Sequence, residues 1–354
     1  MALRSPAQRP PGSGAATGVL LVQLGTPDAP TAPALRRYLR EFLADPRVVE
    51  IPRLAWTPIL YGFVLPLRPA RSARKYAAIW TDEGSPLLVH TQRQASLLRG
   101  ALGERGHAVE VAFAMRYGTP SIASVLREMR SRGLDRLLVV PMYPQYSAST
   151  SATVFDAIAR ELRDWRAQPA LRFVRDFHDD EAYVEALARR VRAHWEREGR
   201  GERLLMSFHG VPRRVVALGD PYERQCRLTG ERLAQRLGLA DDQWMLTFQS
   251  RFGPAEWLQP YTAPTLVDLA RRGVRSVDVV CPGFVADCLE TLEEISIEAR
   301  KSFLDAGGDA FAYVAALNDS PPFVEALASL VERNLLGWPT RCTPKGAPEG
   351  APPA

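Results

Sequence analysis

The sequence predicts an α/β fold made of two consecutive Rossmann-like lobes, each a four-stranded parallel sheet flanked by helices, with a cleft between them. Strand-like apolar runs alternate with helix-like segments along the chain, which is typical of parallel βαβ units. The alternation begins again near residues 176–180, after four strand-like runs. The residues with the most unusual chemistry directly follow such runs, and open α/β sheets bind ligands at the carboxyl ends of their strands.

Four apolar runs in the first part of the chain predict buried strands. They cover residues 19–24, 110–114, 136–140 and 171–174. Helical periodicity predicts helices at residues 34–43, 87–102, 122–132 and from a cap at Ser149 or Thr150 to Arg166. The first strand ends in Gly25-Thr26-Pro27, and the third opens into the loop of residues 141–147. We therefore expect one edge of the first sheet to carry polar and aromatic loops.

The second part of the chain repeats this organisation without a residue-by-residue repeat. Strands are predicted at residues 204–208, 244–248, 277–280 and 310–314. Helices are predicted at residues 181–197, 221–237, 264–272, 288–304 and 322–332. These elements give a first lobe at 18–176 and a second at 177–336, with the last helix expected to pack back on the first lobe.

The composition narrows the class of protein. The 354 residues are 46% hydrophobic with a net charge of +5, and no block of like charges marks a nucleic-acid-binding arm. Residues 1–17 and 337–354 are rich in Pro, Gly and Ala and are predicted to be disordered tails. Neither a signal peptide nor an apolar segment of about 20 residues is visible, so we expect a cytoplasmic protein.

The four cysteines are widely spaced, with no Cys-x-x-Cys pair. They are Cys226, Cys281, Cys288 and Cys342. This spacing favours a reducing compartment and argues against a disulfide framework or a structural zinc site.

His209 is the first candidate for catalysis. It ends a strand-like run in the segment Ser207-Phe-His-Gly-Val-Pro212. A neutral imidazole can bind a divalent metal or move protons near neutral pH. The alternative is a structural histidine in a turn made by Gly210 and Pro212. Both interpretations stay open on the residue alone.

A row of carboxylates follows the strand-like run at residues 277–280. Asp287, Glu290, Glu294 and Glu298 would share one face of an α-helix. Asp287 and Glu290 also fit a helix N-cap and its partner in a capping box. Since Glu294 and Glu298 lie beyond the first turn, we predict that the row is a path for a hard divalent metal.

Two further segments have both a binding and a structural interpretation. The loop Pro141-Met-Tyr-Pro-Gln-Tyr-Ser-Ala-Ser-Thr offers aromatic faces and hydroxyls that suit a flat apolar ligand with acidic edges, or it simply caps a helix. The apolar segment of residues 56–67, followed by Arg68, Arg71, Arg74 and Lys75, is either core or a lip that rests on a membrane.

The chain resembles ferrochelatases from about Gly18 to Leu335. The shared segments include Leu-Val-Gln-Leu-Gly-Thr-Pro, Gly84-Ser-Pro-Leu87, Arg116-Tyr117, Tyr143-Pro-Gln-Tyr-Ser147, Ser207-Phe-His-Gly-Val-Pro212, Asp220-Pro-Tyr222, Phe248-Gln-Ser250, Gly253-Pro254 with Trp257, and Leu289-Glu-Thr-Leu292. The resemblance implies a chelatase-type fold and a lyase that inserts Fe²⁺ into protoporphyrin IX, releasing two protons and forming protohaem.

The resemblance also assigns residues. It implies that His209 and Glu290 face each other across the porphyrin as catalytic and iron-binding groups, and that six positions contact the substrate: Leu24, Arg116, Tyr117, Tyr143, Ser147 and Trp257. Fe²⁺ is then a substrate and no cofactor is permanently bound. Partners are protoporphyrin IX, ferrous iron, a peripheral membrane contact and the upstream porphyrin-producing oxidase, with no nucleic acid.

Two positions depart from some relatives. Cys288 stands where some ferrochelatases have a histidine, so the local ligands are softer or the position is unimportant. Some relatives also carry a C-terminal cysteine cluster for an iron–sulfur centre, whereas this tail offers Cys342 alone. Because an all-cysteinyl cluster needs four thiolates, we predict no iron–sulfur cluster.

Three alternatives remain at this stage. A related chelatase would insert cobalt or nickel into another tetrapyrrole, or iron into coproporphyrin, although the weakly charged loops disfavour a ligand with many carboxylates. A non-catalytic haem or porphyrin carrier would need the pocket but not a histidine with a carboxylate. A nucleotide-binding oxidoreductase is disfavoured, because no glycine fingerprint follows the first strand.

Overall fold

The computed structural model describes residues 16–340. The fold is built on two parallel sheets. The strands of the first sheet are β1 (Ala16–Thr26), β2 (Glu110–Gly118), β3 (Leu134–Pro141) and β4 (Ala170–Phe173). Those of the second are β5 (Arg203–His209), β6 (Trp244–Gln249), β7 (Ser276–Val280) and β8 (Ala310–Val314). Their orders are β2-β1-β3-β4 and β6-β5-β7-β8, with every pair parallel, so the predicted fold class is confirmed.

Helices connect the strands as crossovers. They are α1 (Ala32–Leu43), α2 (Arg53–Ile59), α3 (Leu65–Ile79), α4 (Pro86–Glu104), α5 (Ile122–Ser131), α6 (Ser151–Leu162), α7 (Glu181–Glu198), α8 (Arg213–Ala217), α9 (Tyr222–Leu237), α10 (Thr262–Arg271), α11 (Arg300–Asp305) and α12 (Pro321–Leu335). Two stretches, Leu60–Val64 and Glu290–Ala299, have π-helical hydrogen bonding. A short 3₁₀ turn covers Asp241–Gln243.

The two sheets share one apolar core. Side chains of β1 and β5 pack in a single cluster with α4, α7, α9 and α12, which lie between the sheets. The outer face of the first sheet is covered by α5 and α6. The outer face of the second sheet is covered by α10, α11 and the second π-helix. Both lobes therefore place the carboxyl ends of their strands toward the same interlobe region.

Both predicted tail boundaries need correction. The first strand begins at Ala16, and Thr17 is buried and pairs with Arg136, so the strand starts two residues before the predicted boundary. At the other end, Thr340 is buried: its carbonyl accepts from the Ala108 N–H at 2.7 Å, and its hydroxyl lies 2.7 Å from His107 Nδ1. The rest of each tail lies outside the described residues.

Residues 53–79 form a helical segment that periodicity did not predict. It runs through α2, the first π-helix and α3 despite Pro58, Pro66 and Pro69. Pro66 lies in the first turn of α3, where its missing N–H is tolerated, and the π-helix absorbs the altered hydrogen bonding between the two α-helices. No helix within residues 16–340 is both long and apolar enough to cross a membrane.

Gly25 brings the ends of β1 and β2 together. Its φ is +114°, and a Cβ there would lie 1.8 Å from the Tyr117 carbonyl oxygen. Any other residue would force the two strand ends apart. Gly25 therefore fixes the position of Leu24 and Thr26 at the edge of the sheet that faces the second lobe.

Candidate active site

His209 ends β5 with one ring nitrogen engaged and the other available. Nδ1 lies 2.6 Å from the Gly210 carbonyl oxygen. Since a carbonyl only accepts, Nδ1 carries the hydrogen, and in the neutral ring Nε2 keeps its lone pair. The ring lies near Trp257 and Phe284, with centroid distances of 6.3 and 6.5 Å. These contacts orient an imidazole whose Nε2 can take a proton or bind a metal ion.

The predicted carboxylate row lies on a π-helix instead of an α-helix. Residues Glu290–Ala299 form this second π-helix. A π-helix takes more residues per turn than the about 3.6 of an α-helix, so Glu290, Glu294 and Glu298, four apart, stay on similar faces. Asp287 precedes the helix and is not part of this row.

Gln249 joins the two halves of the site. It ends β6, where it pairs in register with His209, and its carbonyl accepts from the Gly210 N–H at 2.8 Å. Its Nε2 donates to the Glu290 carbonyl at 2.8 Å. The structure therefore joins the strand end that carries His209 to the first residue of the π-helix through Gln249.

The Glu290 carboxylate is surrounded by groups that stay protonated. Burial first, and then the charge of Glu290 and a hydrogen bond to it, raises the pKa of the Cys288 thiol well above its ordinary value. Burial followed by the Glu290 charge also raises the pKa of Tyr76, and burial, Tyr76 and Glu290 raise that of Tyr38. Cys288, Tyr76 and Tyr38 are therefore buried neighbours of Glu290 in which burial favours the protonated form.

Asp287 does not lie on a metal path, contrary to the prediction. Its Oδ1 accepts from Thr291 Oγ1 at 3.0 Å, Tyr313 Oη at 2.5 Å and the Ala316 N–H at 3.3 Å. Its Oδ2 accepts from Asn318 Nδ2 at 2.7 Å, and its own N–H donates to Asn318 Oδ1 at 2.8 Å. This buried carboxylate fixes the loop before the π-helix. Its partner in the cap is Thr291, not Glu290.

Protein donors bind the next two carboxylates of the row. Glu294 accepts from the N–H and hydroxyl of Ser250, at 2.7 and 2.5 Å. Glu298 and the buried Glu293 both contact Lys75 of α3, at 2.9 and 2.8 Å. Lys75 follows the apolar segment for which the sequence left a core and a membrane interpretation open. It couples the first lobe to the π-helix of the second.

Arg116 and Tyr117 are turned into the first lobe. The Arg116 guanidinium pairs with Asp45 and donates through Nε to the Thr153 carbonyl at 2.8 Å. Tyr117 is fully buried, and its hydroxyl donates to Asp45 at 3.0 Å. The predicted direct contact of Tyr117 with substrate does not fit this burial. Asp45, which the sequence did not single out, is the anion that holds both side chains.

Ser147 is also a structural residue. Its hydroxyl donates to Asp220 of the second lobe at 3.1 Å, and the Ala148 N–H donates to the same oxygen at 2.7 Å. Ser147 is 2% exposed. It therefore fastens the loop after β3 to the second lobe and does not present its hydroxyl to a ligand.

Two predicted substrate contacts carry buried polar atoms without a partner. Within residues 16–340, neither the Tyr143 hydroxyl nor Trp257 Nε1 makes a hydrogen bond. Trp257 also bridges to Pro212 in the His209 loop. Leu24 is half-buried and packs with the apolar cluster of α1 and the first π-helix. The aromatic groups therefore suit a ligand that is mostly apolar.

A cavity of about 590 Å³ opens on the first lobe. Thr26, Tyr38, Asp45, Tyr61 and Arg116 are among its lining residues, but neither His209 nor Glu290 is. The cavity therefore does not mark the candidate catalytic pair.

Another group of ligand-type side chains lies at the junction between the lobes. Asp176, His178 and Asp179 offer atoms within 4.8 Å of one another. Asp176 accepts from Gln225 Nε2 at 3.0 Å and from Arg175 at 2.9 Å, and it lies 3.1 Å from His178 Nδ1. These bonds join the linker to α9, and they account for the cluster without an ion.

Two chelatase-type lobes, with an oriented histidine facing a helix of carboxylates, define a metal-handling enzyme of the tetrapyrrole chelatase class. The ferrochelatase family profile matches residues 16–335. The chain is 59% identical to the ferrochelatase of Polaromonas sp. over 94% of its length and 91% of the relative's, and 60% identical to that of Bordetella pertussis over the same shares. The chain belongs to the ferrochelatase family. It is a lyase that inserts Fe²⁺ into protoporphyrin to form protohaem.

Solved structures agree with the fold. SirB from Bacillus subtilis, determined with Fe³⁺, superposes with a TM-score of 0.54 over 91% of this chain and 96% of its own at 13% identity. The sirohydrochlorin chelatase SirB from Bacillus subtilis subspecies spizizenii, in complex with cobalt, gives 0.53 over 90% and 95%. At this identity the similarity concerns the two-lobed fold alone.

Proposed function

We propose that His209 and Glu290 perform the metal insertion, with His209 Nε2 as the proton acceptor and Glu290 as the carboxylate that meets the iron. The observation that carries this proposal is the bond from His209 Nδ1 to the Gly210 carbonyl, which leaves Nε2 free. Insertion requires two pyrrole N–H protons to leave as Fe²⁺ enters the ring. His209 Nε2 accepts them one at a time and passes each to water, the role of a general base.

The aromatic groups around His209 support a flat macrocycle as the second substrate. Trp257 and Phe284 both lie near the imidazole, and within residues 16–340 the buried Tyr143 hydroxyl and Trp257 Nε1 have no hydrogen-bond partner. A ring distorted by such aromatic contacts would present its N–H protons to Nε2 and its nitrogen lone pairs to the entering metal. Arg116 acts at a distance, by holding Asp45 and Tyr117 under the pocket.

We infer that iron approaches Glu290 from the exposed end of the row at Glu298, past the fixed negative charge of Glu294. Carboxylate oxygens bind hard divalent ions. Since Lys75 already compensates Glu298 and Glu293, the π-helix stays folded when the path is empty. The path would also admit zinc or cobalt, because carboxylate and imidazole ligands do not select strictly among these ions.

Anaerobic incubation with Fe²⁺ and protoporphyrin tests these roles. His209→Ala should lower turnover by about 10²–10⁴-fold, the usual contribution of a general base. Glu290→Gln should lower it by a similar factor. Both variants should bind porphyrin, measured by fluorescence quenching, and melt near the wild-type temperature.

Glu128→Gln is the matched control, because it removes an exposed carboxylate of α5 that pairs only with a neighbouring arginine in the described structure. It should leave turnover unchanged. Near-wild-type turnover by folded His209→Ala would refute the catalytic assignment. Turnover by the wild type separates an enzyme from a carrier, since a carrier would bind porphyrin without inserting iron. Both active-site variants should then retain porphyrin binding without turnover.

We propose that the enzyme is cytoplasmic and that the helical segment of residues 53–79 is a lip that rests reversibly on a membrane. One face of this segment is part of the core, and the other face is the one that would contact a membrane. Leu60 and Leu65 are buried in the first lobe, whereas Leu54, Phe63 and Leu67 are 94%, 66% and 73% exposed. Exposed apolar side chains next to Arg71 and Arg74 suit a shallow contact with anionic lipid. The upstream porphyrin-producing oxidase would deliver its product at this lip.

Vesicle sedimentation tests the lip. The protein should bind anionic vesicles at low salt and dissociate at high salt, because salt screens the arginines. Leu54→Ser combined with Phe63→Ser should weaken binding while turnover with detergent-solubilised porphyrin is retained. Leu218→Ser removes a comparably exposed leucine from the second lobe and should bind as wild type. Equal binding by the lip variant and this control would refute the contact.

A further inference from the structure

Gln249 lies at the centre of a buried polar network under the reaction centre. The side chain is 3% exposed, and every polar atom of its amide is used. Oε1 accepts from Ser207 Oγ at 2.8 Å and lies 3.6 Å from the Cys281 thiol. Nε2 donates to the Glu290 carbonyl at 2.8 Å and to Glu294 at 3.3 Å. Because donors lie on one side and acceptors on the other, only one amide orientation satisfies the site.

The same residue is fixed to the strand of the catalytic histidine. Ser207, two residues before His209, donates to the Gln249 side chain, and the Gly210 N–H donates to the Gln249 carbonyl. A displacement of β6 would therefore change the distance between the His209 strand and the start of the π-helix. Gln249 acts as the spacer between the proposed base and the proposed iron ligand.

Ser250 completes the connection from a strained backbone. Its φ is +65°, a left-handed conformation in which a serine is uncommon. In this conformation its N–H and its hydroxyl both point at Glu294, one on each carboxylate oxygen, at 2.7 and 2.5 Å. Backbone strain of this kind persists where surrounding contacts hold it and is concentrated at functional sites.

We propose that Gln249 and Ser250 are positioning residues that hold Glu294 and the first turn of the π-helix against His209, and so set the geometry for iron insertion. Neither needs to touch the porphyrin. Glu294, satisfied by neutral donors, contributes a fixed negative charge behind Glu290. The inference rests on the proposed roles of His209 and Glu290, since these are the groups that it positions.

Ser250→Gly separates positioning from fold stability. Glycine accepts a positive φ without strain, which offsets part of the stability lost with the hydroxyl bond, so the variant should melt within a few degrees of the wild-type temperature. It loses the hydroxyl bond to Glu294, and hydrogen bonds to charged groups are worth enough to lower kcat by about tenfold to a hundredfold. The KM for porphyrin should not change. Ser131→Ala, which removes an exposed hydroxyl bond in α5, is the matched control and should keep full kcat.

Gln249→Glu supplies a readout that a merely structural residue would not move. Ionised glutamate cannot donate to the Glu290 carbonyl and repels Glu294, whereas protonated glutamate restores one donor. The kcat of this variant, relative to wild type, should therefore rise as the pH falls. Gln249→Met, which has no donor at any pH, should show a low kcat with a wild-type-shaped pH profile.

The outcomes distinguish the two levels of the argument. If His209→Ala and Glu290→Gln keep turnover, the proposed function of the site fails. If those variants lose turnover but folded Ser250→Gly and Gln249→Met keep wild-type kcat, the positioning inference alone is overturned. A matching fall of kcat and melting temperature in Ser250→Gly would also overturn it, since it would indicate a structural role.

Discussion

Asp287→Asn provides a sharp test of the corrected site, because it distinguishes a structural carboxylate from a metal ligand. The substitution keeps the shape and removes the charge. Asp287 accepts four hydrogen bonds and is 5% exposed. If the substituted side chain keeps its oxygen at the Oδ1 position, its new amide group faces Asn318 Nδ2, and two donors meet. If Asn318 flips to accept, the bond from the residue 287 N–H to Asn318 Oδ1 is lost instead.

The structure gives the size of the effect. One hydrogen bond to a charged group is lost, one buried donor is left unpaired, and the remaining bonds become weaker neutral ones. Bonds to charged groups contribute about 1.5–3 kcal/mol each, and an unsatisfied buried group costs about 1–3 kcal/mol. Allowing for relaxation, we expect a loss of about 2–4 kcal/mol in the free energy of unfolding. At about 2–4 °C per kcal/mol, the melting temperature should fall by about 4–16 °C.

The assay compares stability with turnover on the same preparation. Thermal melting should show the fall, while kcat for Fe²⁺ insertion, measured well below both melting temperatures, should stay within about threefold of wild type because no bond from Asp287 reaches the reacting atoms. The opposite pattern would contradict the structural role of Asp287. An unchanged melting temperature with turnover lost by orders of magnitude would return Asp287 to the metal path.

Three further predictions concern Lys75, Glu332 and the cysteines. Lys75→Met leaves buried Glu293 without its cation and should destabilise the protein by about 1–3 kcal/mol in urea unfolding, less than a fully buried pair because Lys75 is partly exposed; an unchanged midpoint would show that the pair contributes nothing. Burial alone would raise the pKa of Glu332, but its hydrogen bonds and charge interactions with His107 and Arg105 hold that pKa below the ordinary value of about 4.3. The ionised Glu332 therefore stabilises the fold above that pH, and this stabilisation is lost as the pH falls through the lowered pKa. Urea midpoints measured against pH should therefore decline less steeply in acid for Glu332→Gln than for wild type, and equal slopes would contradict the assignment. Purified protein should lack the visible and paramagnetic signals of an iron–sulfur cluster, and such a signal would show that the cysteine argument is wrong.

Alternating apolar runs were sufficient to predict the strands. The run at residues 204–208 lies within β5, and the run at residues 277–280 lies within β7. Strands of a parallel sheet that is buried on both faces have nearly continuous apolar sequences, interrupted here by Ser207 and Asp278. The segment at residues 53–79 was not predicted as helical. Its three prolines indicate interruption locally, and only packing against the first lobe shows that a π-helix accommodates them.

The sequence suggested the two residues proposed for catalysis but not the residues that support them. His209 ends β5 and Glu290 begins the helix after β7, so both were expected at the carboxyl edge of one sheet. The partners of Asp287, Glu294 and Ser147 come from 31, 44 and 73 residues away in the chain, and no local pattern specifies such distant hydrogen bonds. The α-helical face predicted for four acids was wrong for Asp287, because the helix begins after it and is wider than assumed.

The position of α12 has a consequence for how the chain reaches its native state. This helix packs on α4 of the first lobe as well as on α7 of the second, and Leu98 and Leu102 share a core cluster with Leu327 and Val331. During synthesis the first lobe leaves the ribosome long before the residues that cover it. Its apolar α4 face therefore stays open until the last helix has emerged, and the nascent chain exposes a surface that favours aggregation or chaperone binding. Although the lobes are consecutive in the sequence, the first cannot be completed before the second.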